Sequence, residues 1–284
     1  MSTLVVLAAG RARRYGGVKP LAPIGADSEA VIDLLAGDAV RAGFDRLVLV
    51  INPDSGNLIR NHVTSAWPID VEVEFATQRR PLGTVDAVLA ARDAADDGTA
   101  FAVANADDLY GTDALSVLQA HLAGEGTNCL VGYRLDRALV GDLPVTRGVC
   151  TVADGRLVSI AERRDVRQMD GTFRSEDGEE PEVLEPSTVV SMNLWGFDPR
   201  MWEVFESAMD QASEAHEDNE VLLPELVSRI VQGERGDDAV REFAVLSTSS
   251  RCIGVTHPDD LALVKADIAE QVANGERPAA AFPG

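Results

Sequence analysis

Three groups of residues in this chain have types and spacings suited to chemistry. The first is Leu7-Ala8-Ala9-Gly10-Arg11-Ala12-Arg13-Arg14-Tyr15-Gly16-Gly17-Val18-Lys19-Pro20, which places Arg11, Arg13, Arg14 and Lys19 within nine residues. Small residues at its start let backbone N–H groups come close to a ligand. Fixed cations and backbone amides together suit a triphosphate, because both stabilise charge developing on phosphoryl oxygens. The segment contains neither GxxxxGK[ST] nor GxGxxG, so it is not a Walker A or a dinucleotide loop. The second group is Asn105-Ala106-Asp107-Asp108, which ends an apolar run. Neighbouring carboxylates repel unless a cation intervenes, and Mg²⁺ favours carboxylates combined with substrate phosphates. The third is Gln78 through Gly83-Thr84, where an amide can read a base edge and a glycine lets backbone approach it. Plainer readings exist for each: a basic loop neutralising an acidic surface, an aspartate turn, and an ordinary helix cap.

The elements that must position these groups follow from periodicity. Thr3–Ala8, Arg46–Ile51 and Ala100–Ala104 are short continuous apolar runs, as expected for strands buried on both faces. Val71–Ala76 alternates, and Asn128–Tyr133 is a further strand. Val31–Ala42, Thr84–Ala94 and Asp113–Ala123 have helical spacing. This βαβ rhythm predicts a largely parallel sheet with helices on both faces, and a ligand site at the carboxyl ends of the strands. From Pro144 the texture changes. Val149–Val152 and Leu157–Ala161 predict a hairpin, Arg164–Pro186 a polar excursion or flap, and Val189–Phe197 a strand. Helices are expected over Arg200–Met209, Val221–Gln232 and from Pro258 to Ala273, with a strand over Phe243–Ser247. Asn274–Gly284 reads as a loose tail.

The chain has 284 residues and a net charge of −22. Such a surface repels nucleic-acid backbones and anionic lipid, so neither is an expected partner. No apolar run reaches membrane-spanning length, and the run Leu4 to Ala9 is too short for a signal peptide. Cys129, Cys150 and Cys252 are widely spaced with no CxxC, which fits a reduced, cytoplasmic compartment. Only Lys19 and Lys265 among the 25 basic residues are lysines, so a lysine within the basic loop stands out.

The basic segment resembles the LAAGxGxRxGxxKP signature of the nucleotidyltransferase superfamily, which includes sugar-1-phosphate nucleotidylyltransferases and molybdopterin-type nucleotidyl transferases. Gly10, Arg14, Gly16, Lys19 and Pro20 match it, and Ala12 replaces its second glycine. Gln78 to Ala87 resembles QxxxxGTAxA, with Val85 for its alanine. Asp107 takes the place of the metal aspartate after the strand. Arg147-Gly148-Val149 through Glu162-Arg163, and Ser191 through Phe197, resemble the segments that hold the acceptor.

The resemblance implies an α/β fold, a Rossmann-like three-layer α/β/α arrangement with a mainly parallel mixed sheet and a small β-rich acceptor-binding extension. It covers nearly the whole chain as one domain, with residues 1–143 binding nucleotide and 144–273 the acceptor. It implies catalytic roles for Arg14, Lys19 and Asp107. Nucleotide contacts would come from Leu7, Ala8, Ala9, Gly10, Arg11, Arg13, Gln78, Gly83, Thr84 and Asn105, and acceptor contacts from Asp108, Gly148, Glu162, Arg163 and Asn193. Mg²⁺ would rest on Asp107, with Asp108 or Thr256 as further ligand; His257 also falls at the second-ligand position. Trp195 is expected in the core. The implied reaction joins an NTP to a sugar phosphate or related phospho-alcohol and releases pyrophosphate. A glycosyltransferase of similar architecture and a non-catalytic nucleotide-binding homologue are the alternatives. A homo-oligomer is compatible with the sequence.

Overall fold

Strand β1 (Thr3–Leu7) shows how the chain is organised, because its side chains serve two cores. Leu4 and Val6 pack into one apolar cluster and Val5 into another. β2 (Arg46–Ile51) and β4 (Phe101–Asn105) divide their side chains in the same way. Burial on both faces is why these strands are continuous apolar runs. The computed structural model describes residues 1–10, 17–139, 143–169, 171–214, 220–235, 238–254 and 260–282. Arg11, Arg13, Arg14, Thr256, His257 and the expected start of the last helix at Pro258 lie outside these residues.

The other strands are β3 (Glu72–Thr77), β5 (Asp108–Leu109), β6 (Cys129–Arg134), β7 (Val145–Ala153), β8 (Arg156–Met169), β9 (Thr172–Ser175), β10 (Val183–Leu184), β11 (Val189–Phe197), β12 (Ala244–Ser247) and β13 (Ile253–Gly254). The helices are α1 (Val31–Ala42), α2 (Gly56–Ala66), α3 (Thr84–Ala90), α4 (Arg92–Ala95), α5 (Thr112–Gly124), α6 (Met201–Glu214), α7 (Leu223–Val231) and α8 (Leu261–Ala273). The main sheet runs in the order β10-β9-β8-β12-β6-β11-β4-β1-β2-β3, with β7 pairing to β11 and β8. β3, β2, β1 and β4 are mutually parallel, and β12 is parallel to β6. β11 is antiparallel to both β4 and β6, which makes the sheet mixed. Leu34, Ile59, Leu115 and Val264 bring α1, α2, α5 and α8 onto one face. Val88, Phe205 and Leu226 bring α3, α6 and α7 onto the other. The expected three layers are therefore present. Trp195 is fully buried beside Phe197 and Phe243, as expected of a core tryptophan.

Several features differ from expectation, among them the antiparallel pairing that prevails in the sheet outside the β3-β2-β1-β4 block and the β12–β6 pair. Helix α2 has no counterpart in the sequence reading, because only Gly56, Ile59 and Val63 of it are buried, too narrow a stripe to announce a helix. The helix expected over Thr84–Ala94 is interrupted at Ala91, between α3 and α4. The polar excursion is largely sheet: β8 continues to Met169 and pairs with β9, which pairs with β10. Of its apolar side chains Val166, Phe173 and Leu184 are buried, while Met169 and Val183 are exposed among charged residues on its outer side.

The tail is also not loose over its described part. Arg277 is 5% exposed and donates to both carboxylate oxygens of the fully buried Asp38, at 3.2 and 2.5 Å. Arg41 donates to the carbonyls of Ala280 and Ala281, both at 2.7 Å, and Phe282 packs on Trp67 at 5.5 Å between ring centroids. A composition rich in Gly, Pro and Ala concealed this, since the anchoring depends on one ion pair, two backbone carbonyls and one ring contact. Burial pushes the Asp38 carboxyl up while Arg277 and then Arg41 hold it down. Removing one partner of a buried pair leaves an uncompensated charge and costs about 3–5 kcal/mol. Arg277→Ala should therefore lower the unfolding free energy by that order in denaturant titrations, and the double variant Asp38→Asn/Arg277→Met should recover part of the loss. Equal stability of wild type and Arg277→Ala would show that the tail contributes nothing to folding.

Candidate functional site

The carboxyl ends of β1 and β4 open into a cleft made of three connected cavities. The first, about 310 Å³, is lined by Leu7, Ala8, Gly10, Lys19, Asn52, Ser55 and Asp107 among others. The second, about 560 Å³, shares Leu7, Gly10 and Asp107 with it and adds Ala9, Gln78, Gly83, Thr84, Asn105 and Asn193. The third, about 320 Å³, shares Thr84, Asn105 and Asn193 with the second and adds Asp108, Arg147, Gly148, Ser191, Glu162 and Glu225. The described residues among those named in advance from the three strand-end motifs thus meet in one place. Arg163 does not line this cleft.

The basic loop leaves β1 through Ala8 and Ala9. Ala8 N–H donates to the Val50 carbonyl at 2.8 Å, and the Asn52 amide donates to the Ala9 carbonyl at 3.1 Å. The oxygen of Asn52 also accepts from the N–H groups of Asp54 and Ser55. The turn between β2 and α2 therefore braces the loop, a role legible in the sequence only as a turn after a buried strand. Chain and turn return at a short 3-10 turn, Lys19–Leu21, where the Lys19 Nζ lies 3.6 Å from Asp107 Oδ2.

Asp107 and Asp108 stand side by side at the end of β4. Burial raises the Asp107 carboxyl above its usual range, with Lys19 opposing. Asp108 is pushed up to about 7 by burial and by the charge of Asp107, against the hydrogen bond from Asn105 and the charges of Arg147 and Lys19. The Asn105 amide donates to Asp108 Oδ2 at 3.0 Å. Gly254, paired with Asp108 across β5 and β13, allows this packing: a Cβ there would lie 2.2 Å from Asp108 Oδ1. Two adjacent acidic groups pushed toward protonation chiefly by burial suit a divalent cation, which would restore both to the ionised form. Among the described residues no three His, Cys, Asp or Glu gather as a metal cluster; Mg²⁺ held by one or two carboxylates usually completes its shell with substrate phosphates and water.

Tyr110 and Tyr133 fix the floor. The Tyr110 hydroxyl accepts from Asn105 N–H at 2.9 Å and donates to the Met192 carbonyl at 3.0 Å. The Tyr133 hydroxyl donates to the Tyr110 carbonyl at 2.8 Å. These bonds tie the end of β4 to β11 where its register shifts between Ser191 and Trp195. There Asn193 adopts a left-handed backbone, φ 58°, and its side-chain oxygen accepts from Trp195 Nε1 at 3.3 Å. Neither tyrosine carries a signal in a single sequence, because a buried aromatic near a strand end reads as core.

On the other wall, Gln78 donates to the Gly83 carbonyl at 3.0 Å and to Asp86 Oδ2 at 2.9 Å. Both partners are acceptors, so the amide orientation is chemically fixed and only the Gln78 oxygen remains to meet a ligand. Gly83 has φ 98°, and a Cβ there would lie 2.3 Å from the Val221 carbonyl. Val221 N–H donates to Leu82, Val85 N–H to Val221, and Leu223 N–H to the Thr84 hydroxyl. The loop before α3 and the loop before α7 are one laced unit.

The acceptor-side expectation for Arg163 is corrected by its surroundings. It is 4% exposed and donates twice to Asp177, at 2.8 and 3.1 Å, and to the carbonyls of Glu179 and Pro181. Its guanidinium closes the flap, and Asp177 is held well below the usual carboxylate range by it. Arg147, which carried no assigned role, lines the third cavity instead.

The family described as nucleotidyl transferase matches residues 4–235. A UDP-glucose pyrophosphorylase complexed with UDP-glucose has a similar structure, at TM-score 0.63 and 15% identity, covering 95% of this chain and 99% of that one. So does the inositol-1-phosphate CTP transferase from T. maritima, at 0.64 and 14%, covering 94% and 96%. HddC from Yersinia pseudotuberculosis complexed with GMP-PN gives 0.61 and 16%, covering 94% and 99%. No curated protein sequence matches.

The raised Asp108 carboxyl has a measurable sign. An unfolded aspartate ionises near ~3.9, so between that pH and about 7 the folded protein binds more protons than the unfolded chain. Without a divalent cation, stability contributed by Asp108 should fall as pH rises from 5 to 7.5, and added Mg²⁺ should restore it at pH 7.5. Asp108→Asn should show a shallower pH slope and a smaller Mg²⁺ response in thermal melts. Identical slopes in the two proteins would contradict this account.

Proposed function

Because the chain belongs to the nucleotidyl transferase family, we propose that it joins a nucleoside triphosphate to a sugar phosphate or related phospho-alcohol. In this reaction an oxygen of the acceptor's phosphate attacks the α-phosphorus, the α–β bridging bond breaks, and pyrophosphate leaves with its electron pair. The observation that carries the reading is the continuity of the cleft. The backbone loop and Lys19 lie at one end, the Gln78–Thr84 wall in the middle, and a polar cavity at the other, with Asp107 and Asp108 along its floor.

No protein nucleophile is required, so catalysis would rest on positioning and charge neutralisation. Leu7 to Gly10 and Lys19 would hold phosphates, with Arg11, Arg13 and Arg14 of the same loop assigned there by the motif. Gln78 would accept a hydrogen bond from the base, and Gly83 and Thr84 would bring backbone to it. Gly148, Glu162 and Asn193 would meet the acceptor. Asp107, with Asp108, would hold Mg²⁺, which when bound supplies charge neutralisation along the phosphates. UDP-glucose pyrophosphorylase and inositol-1-phosphate CTP transferase are named for different bases and different acceptors, so the base and alcohol here are matters for a substrate matrix. A reducing compartment such as the cytoplasm suits three buried free cysteines. Among the described residues no helix is long and apolar enough to cross a membrane.

Pyrophosphate release from a matrix of NTPs against sugar 1-phosphates and other phospho-alcohols should find one preferred pair in the presence of Mg²⁺. On that pair Lys19→Ala and Asp107→Asn should each lower turnover by about 10²–10³, the scale of a lost transition-state donor. Turnover near wild type in either variant would overturn the assignment of these residues.

A further inference from the structure

We propose that Arg147 is the acceptor's phosphate anchor, resting on the nucleotidyl-transfer reading above. Strand register makes the case. Arg147 on β7 sits directly opposite Arg163 on β8. Two arginines opposite one another repel, and the fold separates their fates. Arg163 is neutralised by Asp177, bound through Nε and Nη2 to it and to two flap carbonyls, and is closed off from solvent. It does not line the cleft.

Arg147 is left on the cleft side. Among the described residues lining the third cavity it is the one cation, while Asp108, Glu162 and Glu225 supply carboxylates there. An acceptor phosphate entering a cavity with that lining needs a positive partner, and Arg147 is the group present. Its guanidinium is half-buried and held in place by backbone rather than by a carboxylate. Nε and Nη2 donate to the Ala138 carbonyl at 3.0 and 2.7 Å, and Nη1 donates to the Thr146 carbonyl at 2.8 Å. Three of five N–H groups are used, so two remain for a ligand. Among the described residues no carboxylate lies within ion-pair distance of it; its charge is felt by Asp108 across the cavity. An arginine fixed by neutral carbonyls keeps its full charge for an anion, and a planar fork matches phosphate geometry in a way a lysine does not.

The experiment measures pyrophosphate release at saturating NTP as the acceptor is varied, and the reverse, for wild type, Arg147→Ala, Arg147→Gln, Arg147→Lys and Arg163→Lys. Glutamine keeps donors for Ala138 without the charge, so it separates anchoring from support of the 135–139 turn. Arg147→Ala and Arg147→Gln should raise the acceptor KM about 10–100-fold, the range of a charge-assisted hydrogen-bond pair. Their NTP KM should stay within about twofold, and Arg147→Lys should recover part of the loss. Inorganic phosphate should inhibit wild type competitively with the acceptor and inhibit the two neutral variants about 10-fold less or weaker still. Arg163→Lys should lower the melting temperature with the acceptor KM unmoved. An unchanged acceptor KM in folded Arg147→Gln would overturn the proposal while leaving nucleotidyl transfer intact. Absence of pyrophosphate release from wild type with every pair would instead overturn nucleotidyl transfer, and the anchor with it.

Discussion

Two adjacent carboxylates at the end of a buried strand are the constraint on which the site is built. Asp107 and Asp108 repel each other, and each is pushed toward protonation by partial burial. A fold seeking only stability would not retain them there. It retains them because the surroundings are arranged for positive charge: Lys19 at 3.6 Å from Asp107, and the basic loop leaving the adjacent strand β1. The pair stays in place through neutral contacts, namely the Asn105 amide, the short β5–β13 ladder and the room left by Gly254. Among the described residues Lys19 is the one cation within ion-pair distance of the pair, and it meets only Asp107.

Rigidity of the cleft comes from hydrogen bonds that cross between elements distant in sequence. The Tyr110 hydroxyl bridges β4 to Met192 on β11, and Tyr133 supports Tyr110 from β6. Buried phenols of this kind are costly unless satisfied, and both are satisfied by backbone. On the opposite wall the loops around Gly83 and Val221 exchange three bonds. The two ends of the cleft are therefore joined through β4, β11 and α7, which would give two substrates a fixed relative position. Proximity of that kind is the main resource of a transfer reaction that uses no protein nucleophile.

The pairing of Arg147 with Arg163 shows how two residues opposite one another in a strand register can meet different surroundings. Both residues are arginines in the segment 144–273, and the family resemblance implies Arg163 as an acceptor contact. The flap decides otherwise. Asp177 and the Glu179 and Pro181 carbonyls capture Arg163 from within the same extension. Its cross-strand neighbour Arg147 is the one cation among the described residues lining the third cavity.

The chain's local chemistry was sufficient to determine several things by itself. Continuous apolar runs specify strands buried on both faces, and with intervening helical periodicity they specify a three-layer α/β arrangement. Strand ends bearing LAAG, the Gln78–Thr84 segment and Asp107-Asp108 specify where a ligand would meet them, because ligands bind at the carboxyl ends of such strands. Tertiary structure alone decided what depends on partners far along the chain. Arg163 became a flap residue through Asp177, and Arg277 became buried through Asp38, 239 positions away. Tyr110 became part of the site through a carbonyl 82 residues distant. Periodicity reports which side of an element is buried, whereas a hydrogen bond or ion pair requires its partner's position, and that exists only once the chain has folded.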